Sequence, residues 1–224
     1  SGHASCFMYL QADHWEQPAA YRGSQIVLMT RWVESPSIRR RGQGDCAVCV
    51  EDLLELSEDW LKHAIRFHVD HAARDLPLLK EKALKETRIQ EFLRDAANFH
   101  DVPLSNQKNP DLAIHKLLFL LDAGFGTEVP EVVGAIQRIL EHQDAGGIYQ
   151  SKICIPRQYG GTGEAVFGWS LCDAPLLLQA LLKAGVDYGT HIEQGVETLI
   201  TLIRENGLPC ASSREFGAFR GPGR

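Results

Sequence analysis

Long apolar runs are missing from this chain. No stretch of about 18 consecutive apolar residues occurs, and a membrane-spanning helix needs at least that length. An excess of basic residues is missing as well, since 23 Lys and Arg stand against 29 Asp and Glu. The resulting net charge of -6 argues against a surface that binds nucleic acid. The sequence therefore predicts neither a transmembrane segment nor a nucleic-acid partner.

Closely spaced cysteines are nearly absent. Of the six cysteines, only Cys46 and Cys49 are neighbours, and no second pair completes a zinc site. We interpret the pair as small apolar core residues rather than as a redox motif. A chain of 224 residues can bury a full core without disulfide bridges, so we expect free thiols and a cytoplasmic location. The start, Ser1-Gly2-His3, has no methionine and no signal core, so we expect the remnant of a tag or of a cut.

Alternation of apolar and polar residues, the pattern of a half-buried strand, is almost absent too. What the chain contains instead is a repeat with an offset of about 60 to 61 residues. Leu121-Asp122-Ala123-Gly124 recurs as Leu182-Lys183-Ala184-Gly185, and Gly134 recurs as Gly195. Further along, Gly147, Tyr159, Gly161 and Gly163 recur as Gly207, Phe219, Gly221 and Gly223. Self-similarity at a long fixed period predicts a repeat architecture.

Each copy pairs two kinds of helix. The first kind is apolar nearly all round, as in 114–121 and 176–182, which predicts burial on most sides. The second kind carries a single apolar stripe, as in 129–140 and 192–203, so it packs on one side only. The pattern predicts an all-α array of helical hairpins, with inner helices covered by outer ones.

Capping signals predict where these helices begin and end. Asn109-Pro110 suits a cap followed by a first-turn proline. Thr87 with Gln90, and Thr190 with Glu193, have the spacing of capping boxes. Gly124 is placed to end the first buried helix in the left-handed conformation.

The N-terminal part does not follow the repeat. Residues 1–45 predict an N-terminal arm or an additional helix, with a helical stretch at 19–33. Residues 46–224 predict the α/α repeat domain. It begins with a helical sequence pattern from Cys46 to about Asp75, within which Ser57 can cap the start of a new helix. The sequence stops at Arg224, where the first copy would enter its next helix, so we expect the domain to lack its last helix.

The stretch from about His115 to Arg224 resembles the prenyltransferase and squalene-cyclase repeat superfamily, especially its bacterial squalene-cyclase-like members. Glycine- and aromatic-containing loops after each helix pair carry the resemblance. The segments are His142-Gln143, Gly146-Gly147-Ile148-Tyr149-Gln150, Ile155-Pro156-Arg157-Gln158-Tyr159-Gly160-Gly161-Thr162-Gly163-Glu164, Trp169-Ser170-Leu171-Cys172-Asp173-Ala174-Pro175 and Phe219-Arg220-Gly221-Pro222-Gly223-Arg224. The resemblance implies a partial α/α toroid, with concentric helices around an apolar cavity.

The resemblance also implies two chemistries, namely acid-initiated cyclisation of polyprenyl chains and zinc-dependent prenyl transfer. The chain has no Asp-x-Asp-Asp acid motif. Asp173, Cys172 and His115 are the residue types that the zinc enzymes use, but Cys172 and Asp173 are adjacent. No cofactor is firmly implied, and zinc or magnesium remains open.

Asp173 and His115 are the candidate catalytic pair. Asp173 precedes Ala174-Pro175 and suits a helix N-cap, or an acid at the mouth of an apolar cavity. His115 lies inside the other buried helix, where it is a core histidine bonded to a carbonyl group, or the partner of that acid.

The candidate substrate-binding residues lie in the loop between the copies. Arg157 with the glycines at 160–163 could cradle a diphosphate, because loop amides and a guanidinium suit phosphate oxygens. Glu164 belongs to the same loop. Tyr159 and Trp169 could line a cavity and stabilise a carbocation, or they are ordinary core residues.

Three readings of function stay open. The first is an enzyme of the terpenoid-cyclase or prenyltransferase type that acts on, or binds, an apolar isoprenoid. The second is a non-catalytic helical module that binds a lipid or a protein partner on its concave face. A carbohydrate-active α/α barrel would need a clean carboxylate or Tyr/Arg pair facing a cleft, which the sequence does not offer.

A metal held by His68 and His71, three residues apart beside His63, would need a third ligand from elsewhere.

Overall fold

A computed structural model describes residues 54–55, 57–104, 109–205 and 211–217, and this part of the chain is mostly helical. The predicted arm at 1–45, the Cys46/Cys49 pair and the segment 218–224 lie outside the described residues. Seven α-helices occur in the described part: α1 Asp59–Val69, α2 Leu76–Ala83, α3 Thr87–Ala97, α4 Ala113–Asp122, α5 Pro130–Leu140, α6 Ala174–Lys183 and α7 Thr190–Thr201. None of the described helices combines the length and the apolar character that crossing a membrane requires.

Helices α4 and α6 form the centre of the core. The prediction that both are buried is confirmed, since Leu117, Leu120, Leu177 and Leu181 have no exposed surface. The two helices pack side by side, and their carboxyl ends meet in a salt bridge between Asp122 and Lys183. These two residues are the last of their helices and occupy matching positions 61 residues apart, in Leu121-Asp122-Ala123-Gly124 and Leu182-Lys183-Ala184-Gly185. Corresponding ends of the two helices therefore lie together, and the helices run parallel.

Gly124 ends α4 as predicted. Its φ of +86° is a left-handed conformation that glycine adopts without strain. The amides of residues 123–125 then fold back on the carbonyl groups of residues 119–121. A β-carbon at this position would lie 2.5 Å from the ring of Phe67, so α1 packs directly on the turn.

Two histidines of α1 complete the same helix end. His63 Nδ1 donates to the carbonyl oxygen of Ala123 at 2.9 Å, and His68 Nε2 donates to that of Asp122 at 2.6 Å. The His63 side chain is 1% exposed and stacks on Phe125 at 4.9 Å between ring centroids. Helix ends leave carbonyl groups without intrahelical partners, so these imidazoles supply the missing donors.

The outer helices differ in how far they are covered. Helix α5 packs against α3, and its stripe is buried at Val132, Ile136 and Ile139. Helix α7 buries Ile192 but leaves Ile200 56% exposed, and Ile203, two residues beyond the helix, is exposed to the same extent. The predicted stripe is therefore more fully covered in α5, where only its last member, Leu140, is exposed at 42%.

The structure also contains a hairpin that the sequence pattern did not predict. Strands β1, Ser151–Cys154, and β2, Ala165–Gly168, pair antiparallel within the loop expected to be irregular. Leu104 adds a parallel bridge to Ile153 on the other edge of β1. The described part is thus mostly helical with one small two-stranded sheet, and its helical content fits the all-α prediction. Each strand has four residues, which is too short for alternation to stand out.

Several predicted helix starts are wrong by one to three residues. Helix α3 begins at Thr87 with Glu86 as N-cap, and Gln90 donates to the carbonyl oxygen of Leu84. Helix α4 begins at Ala113, because Asn109 accepts the Asp111 amide in a turn of its own instead of capping the helix. Helix α7 begins at Thr190 with Gly189 as N-cap, so Thr190 does not hold the capping position. The long helical stretch predicted up to Asp75 is wrong too, since α1 ends at Val69 and α2 follows.

Glycines at equivalent positions in α5 and α7 have different surroundings. A β-carbon on Gly195 would overlap the carbonyl oxygen of Gly147, where α7 packs on the loop after α5. Thr198 Oγ1 strengthens that contact by donating to the carbonyl oxygen of Gly146 at 2.6 Å. A β-carbon on Gly134 would meet nothing within 4 Å.

Alanine substitutions at the two glycines should therefore act in opposite directions. We expect Gly134→Ala to raise the free energy of unfolding by about 0.5–1 kcal/mol, because alanine favours a helix and has room. Gly195→Ala should lower it by about 1–3 kcal/mol, because the loop at Gly147 must move. Chemical denaturation of both variants measures the difference. Equal effects would show that α7 does not rest on this loop.

The buried histidine His63 should make stability depend on acid. Burial lowers the pKa of His63 below 6.5, so the unfolded chain takes up its proton first as the pH falls. The free energy of unfolding should be constant with respect to His63 above about pH 6.5 and should decrease below it. In His63→Gln the curve should lie about 1–3 kcal/mol lower at pH 7.5 but should fall less steeply from pH 6.5 to 5. Urea unfolding across this pH range measures how the free energy of unfolding depends on pH. The control is His71→Gln, at an exposed histidine, which should keep the wild-type slope.

Candidate functional site

Asp173 occupies the amino end of the buried helix α6. It is the N-cap residue, as its position before Ala174-Pro175 predicts, but its side chain makes no capping bond. The carboxylate is instead turned inward, with the residue 1% exposed, and Oδ2 accepts a hydrogen bond from Ser170 Oγ at 2.5 Å. A buried carboxyl group costs free energy unless polar partners satisfy it. The hydroxyl group of Ser170 is such a partner, and its hydrogen bond fixes the position of the Asp173 side chain.

The segment before Asp173 is fixed by backbone pairing with residues 211–213. Trp169 accepts the amide of Ser213 at 2.9 Å, and its own amide donates to Ser213 Oγ at 3.2 Å. The amide of Leu171 donates to the carbonyl oxygen of Ala211 at 3.0 Å. The Trp169 ring is half-buried, and Trp169 lies four residues before Asp173 in the sequence.

Three of the predicted substrate-binding residues lie together on the loop between β1 and β2. Arg157 and Tyr159 belong to one short 3-10 turn, and Glu164 precedes β2. Arg157 Nε donates to the carbonyl oxygen of Thr162 at 3.0 Å, so the guanidinium braces its own loop. Tyr159 is 64% exposed, and Glu164 is exposed as well. An exposed ring does not line a cavity, so Tyr159 is better described as a surface residue.

The same loop does not present its amides as a phosphate cradle. The amides of Gly160, Gly161 and Gly163 donate to carbonyl oxygens of residues 155–157. The amide of Glu164 donates to Thr162 Oγ1 at 3.2 Å. Because these donors are already bonded within the turn, the glycines serve its tight geometry rather than an anion. Gly161 shows why, since a β-carbon there would overlap the carbonyl oxygen of Ile155.

A similar turn recurs near the end of the described chain. Arg214–Phe216 forms a second 3-10 turn followed by Gly217, with φ +77°, just as Gly160, with φ +82°, follows Arg157–Tyr159. In the second turn the aromatic residue Phe216 is buried rather than exposed. In the repeat seen in the sequence, the counterpart of Tyr159 is Phe219, which lies outside the described residues.

His115 lies in the first turn of α4 and is half-buried. Its amide donates to the carbonyl oxygen of the N-cap residue Leu112 at 3.0 Å, so His115 is the third residue of the helix. His115 and Asp173 therefore each stand at the amino end of a buried helix. The side chains of both residues make further interactions, so neither is free.

The donor set that zinc-dependent prenyl transfer uses does not fit this geometry. The side chain of Cys172 is exposed, whereas that of the adjacent Asp173 is buried, so the two do not converge on one point. His63 and His68 are committed to carbonyl groups of α4. Across the described ranges, no group of three or more His, Cys, Asp or Glu side chains is arranged to hold a metal ion.

A cluster of two histidines and a phenylalanine escaped the sequence reasoning. His142, after α5, stacks on Phe167 of β2 with ring centroids 3.5 Å apart and planes inclined by 14°. His100, after α3, meets the edge of the same ring at 5.2 Å and lies 5.6 Å from His142. Burial lowers the pKa of both histidines, that of His100 to about 4. Neutral imidazoles thus connect the ends of α3 and α5 to the hairpin. Spacing along the sequence does not predict this contact, because His100, His142 and Phe167 are far apart in the chain.

A polar depression of about 670 Å³ lies elsewhere, between the amino ends of α1 and α3. Acids and bases alternate around it, and none of the predicted site residues contributes. It is lined by Ser57, Glu58, Asp59, Lys62, Lys85, Glu86, Thr87 and Arg88. Glu86 is engaged there, because its Oε1 accepts the amide of Trp60 at 2.9 Å.

Among the described residues, Asp173 offers a buried carboxyl group with a hydroxyl partner, and Trp169 lies four residues before it in the sequence. Such a set suits proton transfer to an apolar group better than phosphate recognition or metal chemistry. Comparisons of the chain with models of protein families, with curated proteins and with solved structures return no match.

Proposed function

We propose that this chain is a helical repeat domain of the prenyltransferase and squalene-cyclase type, part of an α/α toroid, and that it acts on an apolar isoprenoid. The repeated segments and their glycine-containing loops support the assignment. So does the neighbouring placement of the two buried helices, because inner helices of a toroid run parallel and side by side. The salt bridge between Asp122 and Lys183, at corresponding positions of the two copies, is the observation that carries it.

The chemistry follows from Asp173. Acid-initiated cyclisation begins when a carboxylic acid gives its proton to a carbon–carbon double bond, which leaves a carbocation and a carboxylate. Asp173 is the described carboxyl group that is 1% exposed at the end of a leucine-rich helix. Ser170 Oγ, which donates to Oδ2, stabilises the carboxylate once the proton has left.

Trp169 suits the next stage. An indole face attracts a cation within about 6 Å of its centre, and the attraction grows where water is excluded. The half-buried ring lies on the same segment as the acid, four residues earlier. Backbone bonds to residues 211 and 213 hold that segment. Access of a substrate to Asp173 therefore requires this pairing to open locally.

A second candidate function is a non-catalytic module that binds a lipid or a protein partner. Exposed apolar side chains in and around α7 favour this reading, namely Tyr188 before the helix, Ile200 near its end and Ile203 after it. Large apolar side chains left exposed on a protein surface mark an interaction site where they are close together, as Ile200 and Ile203 are in the sequence. In this case binding would persist without any chemistry at Asp173.

Substitution of the buried acid tests the enzymatic proposal. We expect the protein to convert a linear isoprenoid, supplied as squalene or as farnesyl or geranylgeranyl diphosphate, to a cyclic isomer with a new chromatographic retention. Asp173→Asn keeps the size of the side chain but removes the proton, so the rate should fall by at least about 100-fold. Asp187→Asn, at an exposed aspartate in the turn before α7, is the matched control and should keep the wild-type rate.

Binding measurements separate the two candidates. Isoprenoid binding by calorimetry, without turnover and unchanged in Asp173→Asn, would remove the enzyme proposal and favour the module. If the double substitution Ile200→Asp with Ile203→Asp abolishes binding, the binding surface of that module lies at the carboxyl end of α7. If the protein neither converts nor binds any of the three isoprenoids, the assignment is overturned altogether.

A further inference from the structure

The cluster of His100, His142 and Phe167 joins three separate parts of the chain. His100 follows α3, His142 follows α5, and Phe167 lies in β2 opposite Lys152 of β1. The segment after His100 then continues to Leu104, whose amide donates to the carbonyl oxygen of Lys152 at 2.8 Å. The cluster therefore attaches the hairpin to the ends of two helices.

His100 is held there at a cost. Its φ of +71° makes it the one non-glycine residue with positive φ in the described part of the chain. A left-handed backbone at a residue with a β-carbon costs free energy and persists only where surrounding contacts enforce it. The enforcing contacts are ring contacts, with Phe99 at 4.5 Å, His142 at 5.6 Å and Phe167 at 5.2 Å.

The imidazole of His100 is also buried without hydrogen bonds. Neither Nδ1 nor Nε2 has a partner, and both atoms are inaccessible to solvent. A neutral imidazole in this position already forfeits one donor bond and one acceptor bond. A protonated ring would bury a full charge with two unsatisfied donors, which is far more costly.

The charged groups around the ring add to that cost. Arg138 and His142 come from α5 and its end, Lys152 comes from β1, and Asp101 comes from the segment of His100 itself. Glu141 acts on the neighbouring His142 instead. Burial first, then His142, Arg138 and Lys152, lower the pKa of His100, and only Asp101 opposes them. Asp101 is moreover shared, because its carboxylate lies 3.5 Å from Arg138 Nη1.

We propose that His100 is an acid-operated latch, in which proton uptake by its ring releases residues 99–104 and the β1–β2 hairpin from the ends of α3 and α5. The released ring reaches water, where both nitrogens are solvated, and the left-handed backbone relaxes. The bonds of Leu104 to β1 break in the same step. Because the hairpin carries residues 155–164 at its tip, acid would free that loop without unfolding the helical core. The latch does not depend on the proposed isoprenoid chemistry.

The size of the effect follows from proton linkage. The pKa of the ring is about 4 in the closed state and about 6.5 in water. The opening constant should therefore rise roughly tenfold for each pH unit between these values. From pH 7 to pH 5 the expected increase is about 20-fold.

Native-state hydrogen exchange on the full chain, corrected for intrinsic exchange rates, measures this opening. The reporting amides are those of Leu104 and Cys154, which bridge the segment and β1. Their opening constants should rise about 20-fold from pH 7 to pH 5. In His100→Asn, which tolerates the left-handed conformation but does not titrate in this range, the rise should shrink to the part that His142 contributes. His71→Asn, at an exposed histidine of the same protein, should keep it.

Two results would overturn the latch. One is a wild-type opening constant that does not change between pH 7 and pH 5. The other is an unchanged rise in His100→Asn. If that variant does not fold, nuclear magnetic resonance of the wild-type ring decides. Titration of His100 near 6.5 while the Leu104 amide stays protected would refute the proposal, and ring protonation coupled to loss of that protection would support it.

Discussion

The packing of α4 against α6 is the contact on which the described structure depends. Both helices are apolar nearly all round, so neither can face water, and each hides the other. Their ends are then fixed by polar groups that the packing itself makes necessary. At the carboxyl end of α4, the turn at Gly124 and the two imidazoles of α1 satisfy every carbonyl from residue 119 to 123. At the amino end of α6, Ser170 satisfies part of the buried carboxylate of Asp173.

Sequence patterns predicted the features that depend on neighbours along the chain. The leucine-rich helices and the left-handed stop at Gly124 were predicted because periodicity and glycine conformation are local properties. Helix starts were less accurate. Asn109 has the right chemistry for a cap, but it closes a turn of its own, and α4 starts four residues later. The β1–β2 hairpin was missed because its strands are short and are stabilised by pairing with distant residues such as Leu104.

The candidate site divides along the same line. The position of Asp173 before a proline at the second helical residue was readable, whereas the inward turn of its carboxylate was not. Arg157 and the glycines at 160–163 resembled an anion site, but hydrogen bonds within the loop use their donors. His100 and His142 are 42 positions apart, and only the folded chain brings them to the edge and the face of the Phe167 ring. Residue types thus indicated where chemistry was possible, and packing decided which of them remained available.

The salt bridge between Asp122 and Lys183 gives the two copies different identities. The segments Leu121-Asp122-Ala123-Gly124 and Leu182-Lys183-Ala184-Gly185 differ only where one carries an acid and the other a base. Two copies of the first kind placed side by side would set carboxylate against carboxylate, and two of the second kind would set ammonium against ammonium. An exposed pair of this kind contributes little stability, about 0–1 kcal/mol, but like charges in its place would be repulsive. The charges at this one position therefore favour α4 and α6 as neighbours over a pairing of either helix end with its own kind.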